Sequence, residues 1–314
     1  MNPTLTAAEL FKAQSGPLKL RWLAGRSGEH QLLEPATAKF PGMALVGHLN
    51  FVHPNRVQVL GSAEVDYLRG LPAAEHQQAV HNLFTCTTTA LVVVANDSTP
   101  DADMLQAADA AGLPLLVSAL PSPKIIDHLQ YYLTRALAAR TTLHGVYLEV
   151  MGLGVFITGD SGIGKSELAL ELLSRGHRLI ADDAVEISRT GPDVLLGRCP
   201  RMLRDFLEVR GLGILNVRAM FGDTAVRPEK TLRLIVHLEP LRPEKMSKID
   251  RLQAEQKMRT ILDVDIPEVV LYVAPGRNLA VLVEAATRNH ILRMRGINPL
   301  DELNRRQQEA MQEV

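Results

Sequence analysis

The sequence predicts an α/β protein of two domains. Three observations carry that expectation. The chain has 314 residues, a length that suits about two domains of ordinary size. Short Val- and Leu-rich runs alternate with helix-like patterns along its first 120 residues, as in a small α/β layer. In the second half, a glycine-rich loop stands between a strand-like run and an amphipathic helix.

The first domain is expected over residues 1–135. Leu18 to Leu23 begins by alternating apolar with basic residues, as a half-buried strand does. Val57 to Leu60, Leu91 to Ala95 and Leu115 to Val117 suit short strands. Between them, Met104, Ala107, Ala108 and Ala111 recur at helical spacing within Asp101 to Ala111. No catalytic motif is visible here, and the sequence assigns this domain no role. After Pro121-Ser122-Pro123, Ile125, Ile126, Leu129, Leu133 and Leu137 form one apolar face across Pro123 to Arg140. That helix reads as the connector between the domains.

The second domain is expected over residues 136–314. It opens with strands Val146 to Val150 and Gly154 to Thr158, then a helix from Lys165 to Arg175 closed by Gly176. Arg178 to Ala181 is the next strand and ends in Asp182 and Asp183. Val185 to Arg189 and Val194 to Gly197 read as a hairpin, and Leu232 to Leu238 as a further strand. Asn278 caps a helix bearing Leu279, Leu282, Val283, Ala286 and His290, and Asn298-Pro299 opens a last polar helix.

Composition excludes several function classes. Hydrophobic residues at 46% and charged residues at 22% are globular values, so disorder is excluded as an overall description. The 34 basic residues balance 35 acidic ones, and neither domain is strongly basic, which argues against a nucleic-acid partner. Aromatic residues, at 4%, are too few for a base-stacking surface. Cys86 and Cys199 stand in no metal or redox spacing, which points to a reducing compartment. The N-terminus lacks a secretion pattern, and the longest apolar run, Ala90 to Ala95, is too short for a membrane. The expectation is a cytoplasmic protein with no membrane and no nucleic-acid partner.

The strongest chemical signal is Gly159-Asp160-Ser161-Gly162-Ile163-Gly164-Lys165-Ser166, which fits G-x-x-x-x-G-K-[ST] at every fixed position. Glycines let backbone amides turn inward around phosphate oxygens, and the following helix adds the positive end of its dipole. Lys165 reaches the β- and γ-phosphates in such a loop, and Ser166 meets Mg²⁺. The motif specifies a nucleoside triphosphate and is silent on the reaction.

Asp182 and Asp183 end the next strand, where carboxylates of an α/β sheet face the ligand crevice. A phosphoryl acceptor needs a base and Mg²⁺ needs oxygen ligands, so one aspartate could do each job. The weaker alternative is a pair of solvated loop caps. His144, before the strand that leads to the loop, reads alone as a structural histidine. Five arginines lie between Arg198 and Arg218 against Asp205 and Glu208. They fit either a cluster beside the phosphates or a solvated basic face.

Taken in order, several segments closely resemble the HPr kinase/phosphorylase family. They are His144-Gly145-Val146, Gly159 to Ser166, Gly176 to Asp183, Leu207-Glu208-Val209-Arg210-Gly211-Leu212-Gly213-Ile214-Leu215-Asn216, Ile249-Asp250-Arg251-Leu252 and Pro275-Gly276-Arg277-Asn278. The run Leu207 to Asn216 is the most discriminating of them. The resemblance implies a C-terminal P-loop (Walker A) kinase domain similar to the phosphoenolpyruvate carboxykinase-like P-loop fold, behind a small α/β domain.

It also implies an activity: a bifunctional protein-serine kinase and phosphorylase of carbon metabolism. ATP or pyrophosphate phosphorylates a serine of the phosphocarrier HPr, and phosphate removes the group again to give pyrophosphate. By the same resemblance, Gly159, Asp160, Ser161, Gly162, Ile163, Gly164, Lys165 and Ser166 bind nucleotide, and Ser166 and Glu208 bind Mg²⁺. His144, Lys165, Asp183 and Arg251 are catalytic, with Asp183 as the base in phosphorylation and the acid in the reverse step. Leu207, Val209, Arg210, Gly211, Leu212, Gly213, Ile214, Leu215 and Asn216 serve both reactions. Tyr272, Val273, Ala274, Pro275, Gly276 and Arg277 match a segment linked to dephosphorylation. A homohexamer is implied as well. Departures are few: Ile249 replaces an aromatic, Ala274 stands where some members carry a basic residue, and the loop Glu239 to Lys248 is slightly long.

Two rival readings remain at this level: a P-loop kinase or carboxykinase-like enzyme acting on a small metabolite, and a non-enzymatic ATP-binding switch.

Overall fold

A computed structural model describes residues 4–34, 44–241 and 257–312. The chain divides into two compact units, Met1–Ala139 and Arg140–Val314.

The first unit contains β1 (Leu5–Thr6), α1 (Ala7–Gln14), β2 (Leu20–Ala24), β3 (Leu32–Leu33), β4 (Val46–His48), β5 (Val57–Leu60), α2 (Ser62–Gly70), α3 (Ala73–Thr85), β6 (Leu91–Val94), α4 (Ala102–Ala111), β7 (Leu115–Ser118) and α5 (Ser122–Ala136). Its main sheet has the order β2-β7-β6-β5-β4. The pairs among β4 to β7 are parallel, and β2 is antiparallel to β7. Every residue of β5, β6 and β7 is buried, which is why these runs read as mostly apolar, with only Gln58 and Ser118 polar. Helix α4 starts where expected, with Asp101 accepting a hydrogen bond from Met104 N at 2.9 Å.

The helix expected to connect the domains belongs to this unit instead. Ile125, Leu129 and Leu133 of α5 are fully buried in one cluster with Leu10, Val57, Val59 and Leu91. An amphipathic face of this kind needs a sheet beneath it, and β5 and β6 supply one.

The second unit contains β8 (Arg140–His144), β9 (Val146–Val150), β10 (Leu153–Gly159), α6 (Lys165–Ser174), β11 (Arg178–Ala181), β12 (Ala184–Gly191), β13 (Val194–Arg198), β14 (Phe206–Val209), β15 (Gly213–Asn216), α7 (Val217–Phe221), β16 (Glu229–Pro240), β17 (Lys257–Ile261), β18 (Val264–Val273), α8 (Leu279–Met294) and α9 (Pro299–Gln312). A nine-stranded sheet runs β11-β9-β10-β16-β13-β12-β8, with β18 also on β16 and β17 on β18. β10 is parallel to β16 and β16 to β18, while the other pairs are antiparallel.

Alternation along the strands builds two cores. Val146, Leu148, Val155, Ile157, Leu234 and Val236 face Leu168 and Leu172 of α6 and Val283 of α8. Their neighbours Tyr147, Phe156 and Ile235 face the other way, with Val185, Ile187, Leu195 and Ile266. Asn278 caps α8 as expected, accepting from Val281 N at 2.9 Å. α8 is also clamped to the end of α6: Glu284 accepts from Arg175 Nη2 at 2.6 Å and meets His177 Nε2 at 2.9 Å.

In the second unit, five strands at three places escaped the sequence reading. β8 is an edge strand with exposed and half-buried residues alternating, so Arg-Thr-Thr-Leu-His carries no strong apolar signal. β17 and β18 are the second case. The third is the pair β14 and β15, which folds the run Leu207 to Asn216 into an antiparallel hairpin.

Candidate active site

The phosphate loop forms as its spacing requires. β10 ends at Gly159, and Lys165 opens α6, with Leu168 N donating to Gly164 O at 3.0 Å. Gly159 sits at φ +145°, and a Cβ there would lie 2.6 Å from the carbonyl oxygen of Leu238 on the paired strand β16. Only glycine lets the loop leave the sheet at that point. Ile163 anchors the loop by packing on the α6 core. Lys165 is buried, and its ammonium donates to the carbonyls of Gly159 and Asp160, both at 2.9 Å.

A cavity of about 550 Å³ opens over this loop. Ser161, Gly162, Gly164, Lys165, Ser166 and Glu167 line one part of it, and His144, Gly145, Asp182, Asp183, Glu208 and Arg210 line the rest. Gly159, Asp160 and Ile163 of the same loop do not line it. Segments far apart in sequence therefore converge on one volume.

Sheet geometry brings the aspartates there. β11 is antiparallel to β9, and β9 is antiparallel to β10. β11 therefore runs in the same direction as β10, and both carboxyl ends open on the loop side, with one opposed strand between them. The two aspartates then part company. Asp182 is buried, with Oδ2 accepting from Glu208 N at 2.9 Å and Oδ1 lying 3.4 Å from Ser166 Oγ. Burial pushes its carboxyl above the ordinary range, against the backbone hydrogen bonds from Glu208 and Asp183.

Asp183 is exposed and has φ +65°, a left-handed conformation that non-glycine residues adopt at some strain. Its Oδ1 lies 2.9 Å from His144 Nδ1, and its carbonyl accepts from Gly145 N at 3.1 Å. His144 ends β8 directly opposite Ala184 on β12.

The hairpin β14–β15 supplies Glu208. Leu207 and Val209 point into the α6 core, so Glu208 between them points out toward the cavity. The arginine cluster disperses: of its five members only Arg210 lines the cavity. Arg198 pairs with Glu186, and Arg218 with Asp205 and Asp223. Carboxylates flanking the run had already claimed those side chains. Tyr272 and Val273 close β18, and the turn Ala274 to Arg277 follows, with Arg277 Nη1 donating to the Tyr272 carbonyl at 3.3 Å. None of these six residues lines the cavity. Ile249, Asp250, Arg251 and Leu252 lie outside the described residues, as does the loop from residue 242 to 248.

The sequence left open which aspartate is buried, and it missed Gly145 and Glu167 as lining residues. A register shift between Leu179 and Ala181 breaks the inward-outward count before Asp182. No reading of alternation survives it.

The donor set fits Mg²⁺. Loop amides, Lys165 and Arg210 gather anions, yet Asp182, Asp183 and Glu208 face the same volume. A polyphosphate and these carboxylates repel unless a cation stands between them. Mg²⁺ is held by one or two carboxylates with phosphate oxygens and waters completing its shell. Ser166 and Glu208, with Asp182 behind them, match that requirement.

The chain matches two family models: "HPr Serine kinase N terminus" over residues 5–133 and "HPr Serine kinase C-terminal domain" over residues 135–307. It is 50% identical over 300 residues to the HPr kinase/phosphorylase of Xylella fastidiosa strain M12, covering 95% of each chain. The same figures hold for the HPr kinase/phosphorylase of Xanthomonas campestris pv. campestris strain B100. The solved HPr(Ser) kinase/phosphatase from Coxiella burnetii is similar to half of this chain and 93% of its own, at 37% identity and a TM-score of 0.46. With both models matched in order and the relatives covering nearly its whole length, the chain belongs to the HPr kinase/phosphorylase family.

Proposed function

We propose that this protein is a bifunctional serine kinase and phosphorylase of the phosphocarrier HPr. One observation carries the reading: the phosphate loop, the His144–Asp183 pair and Glu208 line one cavity. In the forward direction the loop amides and Lys165 hold the phosphates of ATP, or pyrophosphate in its place. Asp183 takes the proton of the HPr serine hydroxyl as that oxygen attacks the terminal phosphorus in line. His144 holds the Asp183 carboxylate in position for this. Arg210 stabilises charge on the transferring group, and Arg251 completes the catalytic set.

In reverse, an oxygen of inorganic phosphate attacks the phosphoserine phosphorus. The serine oxygen departs with the proton that Asp183 returns, and pyrophosphate is released. Ser166 and Glu208 would hold Mg²⁺, with Asp182 accepting from the Ser166 hydroxyl and the Glu208 amide. When bound, the ion neutralises phosphate charge and orients the oxygens of donor and acceptor. Tyr272 to Arg277 serves dephosphorylation, and the rest of the run Leu207 to Asn216 serves both directions. The protein works as a cytoplasmic homohexamer. Among the described residues no helix is long and apolar enough to cross a membrane.

The test is incubation with HPr, its phosphoserine form, ATP, pyrophosphate and phosphate in turn. Label from γ-labelled ATP enters a serine of HPr, and phosphate releases it as pyrophosphate. HPr that stays unlabelled while a small metabolite is phosphorylated, or while ATP is only bound, overturns the reading. Light scattering checks the six-chain particle.

A further inference from the structure

The outer face of the hairpin β14–β15 carries apolar side chains that the described residues leave uncovered. Leu207 and Val209 are buried, so Phe206 and Glu208 take the opposite face of their strand. Glu208 pairs with Ile214, and Phe206 with Asn216. Directly paired residues share a face, so Phe206, Glu208, Ile214 and Asn216 stand together. Ile214 is 72% exposed, Leu212 in the turn 64% and Phe206 41%. Single exposed apolar residues are ordinary. Phe206 and Ile214 instead flank Glu208, which lines the phosphate cavity, and Leu212 stands in the turn of the same hairpin.

We infer that Phe206, Leu212 and Ile214 form the docking surface for the protein substrate, and that Ile214 sets the affinity for that substrate rather than for nucleotide. This rests on the proposed HPr kinase reading and deepens it. A small acceptor fits within a cavity of about 550 Å³, whose lining includes Glu208 but none of Phe206, Leu212 and Ile214. A folded protein cannot enter. It inserts the segment bearing its serine and rests the surrounding surface on the rim. The hairpin is that rim, because Ile214 lies directly across the ladder from Glu208. The partner surface is therefore apolar next to its acceptor serine. Phosphoserine and serine forms share those surroundings, so one surface serves both directions.

The experiment uses the full chain with Ile214→Ala and with Phe206→Ala, the latter lying outside the run Leu207 to Asn216. KM and kcat are measured for HPr with ATP and for phosphoserine HPr with phosphate, and KM is measured for ATP itself. Losing a buried apolar contact predicts a rise of about tenfold in KM for both forms of HPr. KM for ATP stays within about twofold, and Ile214→Val restores most of the affinity. A wild type that phosphorylates HPr, with variants whose KM for HPr is unchanged, overturns the inference and spares the function. Loss of kcat at constant KM does the same, because it makes these residues part of the chemistry. A change in particle mass by light scattering also overturns it, by assigning the face to contact between copies. A wild type that leaves HPr unlabelled removes the function itself.

Discussion

His144 Nδ1 and Asp183 Oδ1 lie 2.9 Å apart, and the amide of Gly145 donates to the carbonyl of the same aspartate at 3.1 Å. Asp183 is thus held at both its side chain and its backbone by one dipeptide. Asp183→Asn keeps the shape and removes the base. Phosphorylation of HPr should fall by at least about 10²–10⁴-fold, with nucleotide affinity largely kept. His144→Ala should lower kcat about tenfold or more by releasing the carboxylate. Steady-state assays beside a nucleotide-binding titration check both, and near-normal turnover by Asp183→Asn would remove it from the mechanism.

Asp182 makes a different prediction. Its carboxylate joins Ser166 to the backbone of Glu208. Asp182→Ala leaves the Glu208 amide without that acceptor and should destabilise the second unit by about 1–3 kcal/mol. It should also raise the Mg²⁺ concentration that gives half-maximal activity. Denaturant unfolding and a Mg²⁺ titration read the two effects separately. An unchanged Mg²⁺ requirement would confine Asp182 to folding.

Gly159→Ala tests the exit of the phosphate loop. The new Cβ would stand 2.6 Å from the Leu238 carbonyl oxygen, so β10, β16 or the loop must shift. Strain of this kind costs about 1–3 kcal/mol, which lowers the thermal midpoint by several degrees. ATP binding should weaken at the same time, as calorimetry would show.

Glu284 gives a pH dependence with a defined sign. Hydrogen bonds from Arg175, against a desolvation penalty and helped by His177, bring its carboxyl from 4.5 down to about 2. A carboxyl lowered on folding contributes stability above its unfolded value, and that contribution is lost as pH falls from 4.5 toward 2. Arg175 is partly exposed, so the contribution is about 1 kcal/mol. Glu284→Gln should be less stable than the wild type by that amount at pH 7. The gap should narrow through the acid window, as paired unfolding curves at several pH values would show.

The parts of this protein that were legible in sequence are those governed by local chemistry. Gly159 to Ser166 announced itself because a phosphate cradle needs amides and glycines at fixed spacing, and α6 followed from its apolar positions. β5, β6 and β7 were readable because burial on both faces leaves apolar runs that only Gln58 and Ser118 interrupt. Other features depend on distant partners. Glu284 reaches Arg175 and His177 from another helix, and nothing around residue 284 signals it. Arg198 and Arg218 fitted either a phosphate cluster or a solvated face, and distant carboxylates fold against both. β8 was missed because an edge strand alternates too weakly, and it is the strand that delivers His144.

The edge ladder of β8 on β12 gives the His144–Asp183 pair its tolerance. Thr142 faces Glu186, Leu143 faces Val185 and His144 faces Ala184, so the imidazole reaches Asp183 only in this alignment. A slip of one residue would turn the ring to the opposite face of the sheet and leave the carboxylate free to rotate. Strand counting therefore works here as a gauge block. It transfers the rigidity of nine hydrogen-bonded strands to a contact between two solvent-facing side chains, which by themselves could wander by more than the length of a proton jump.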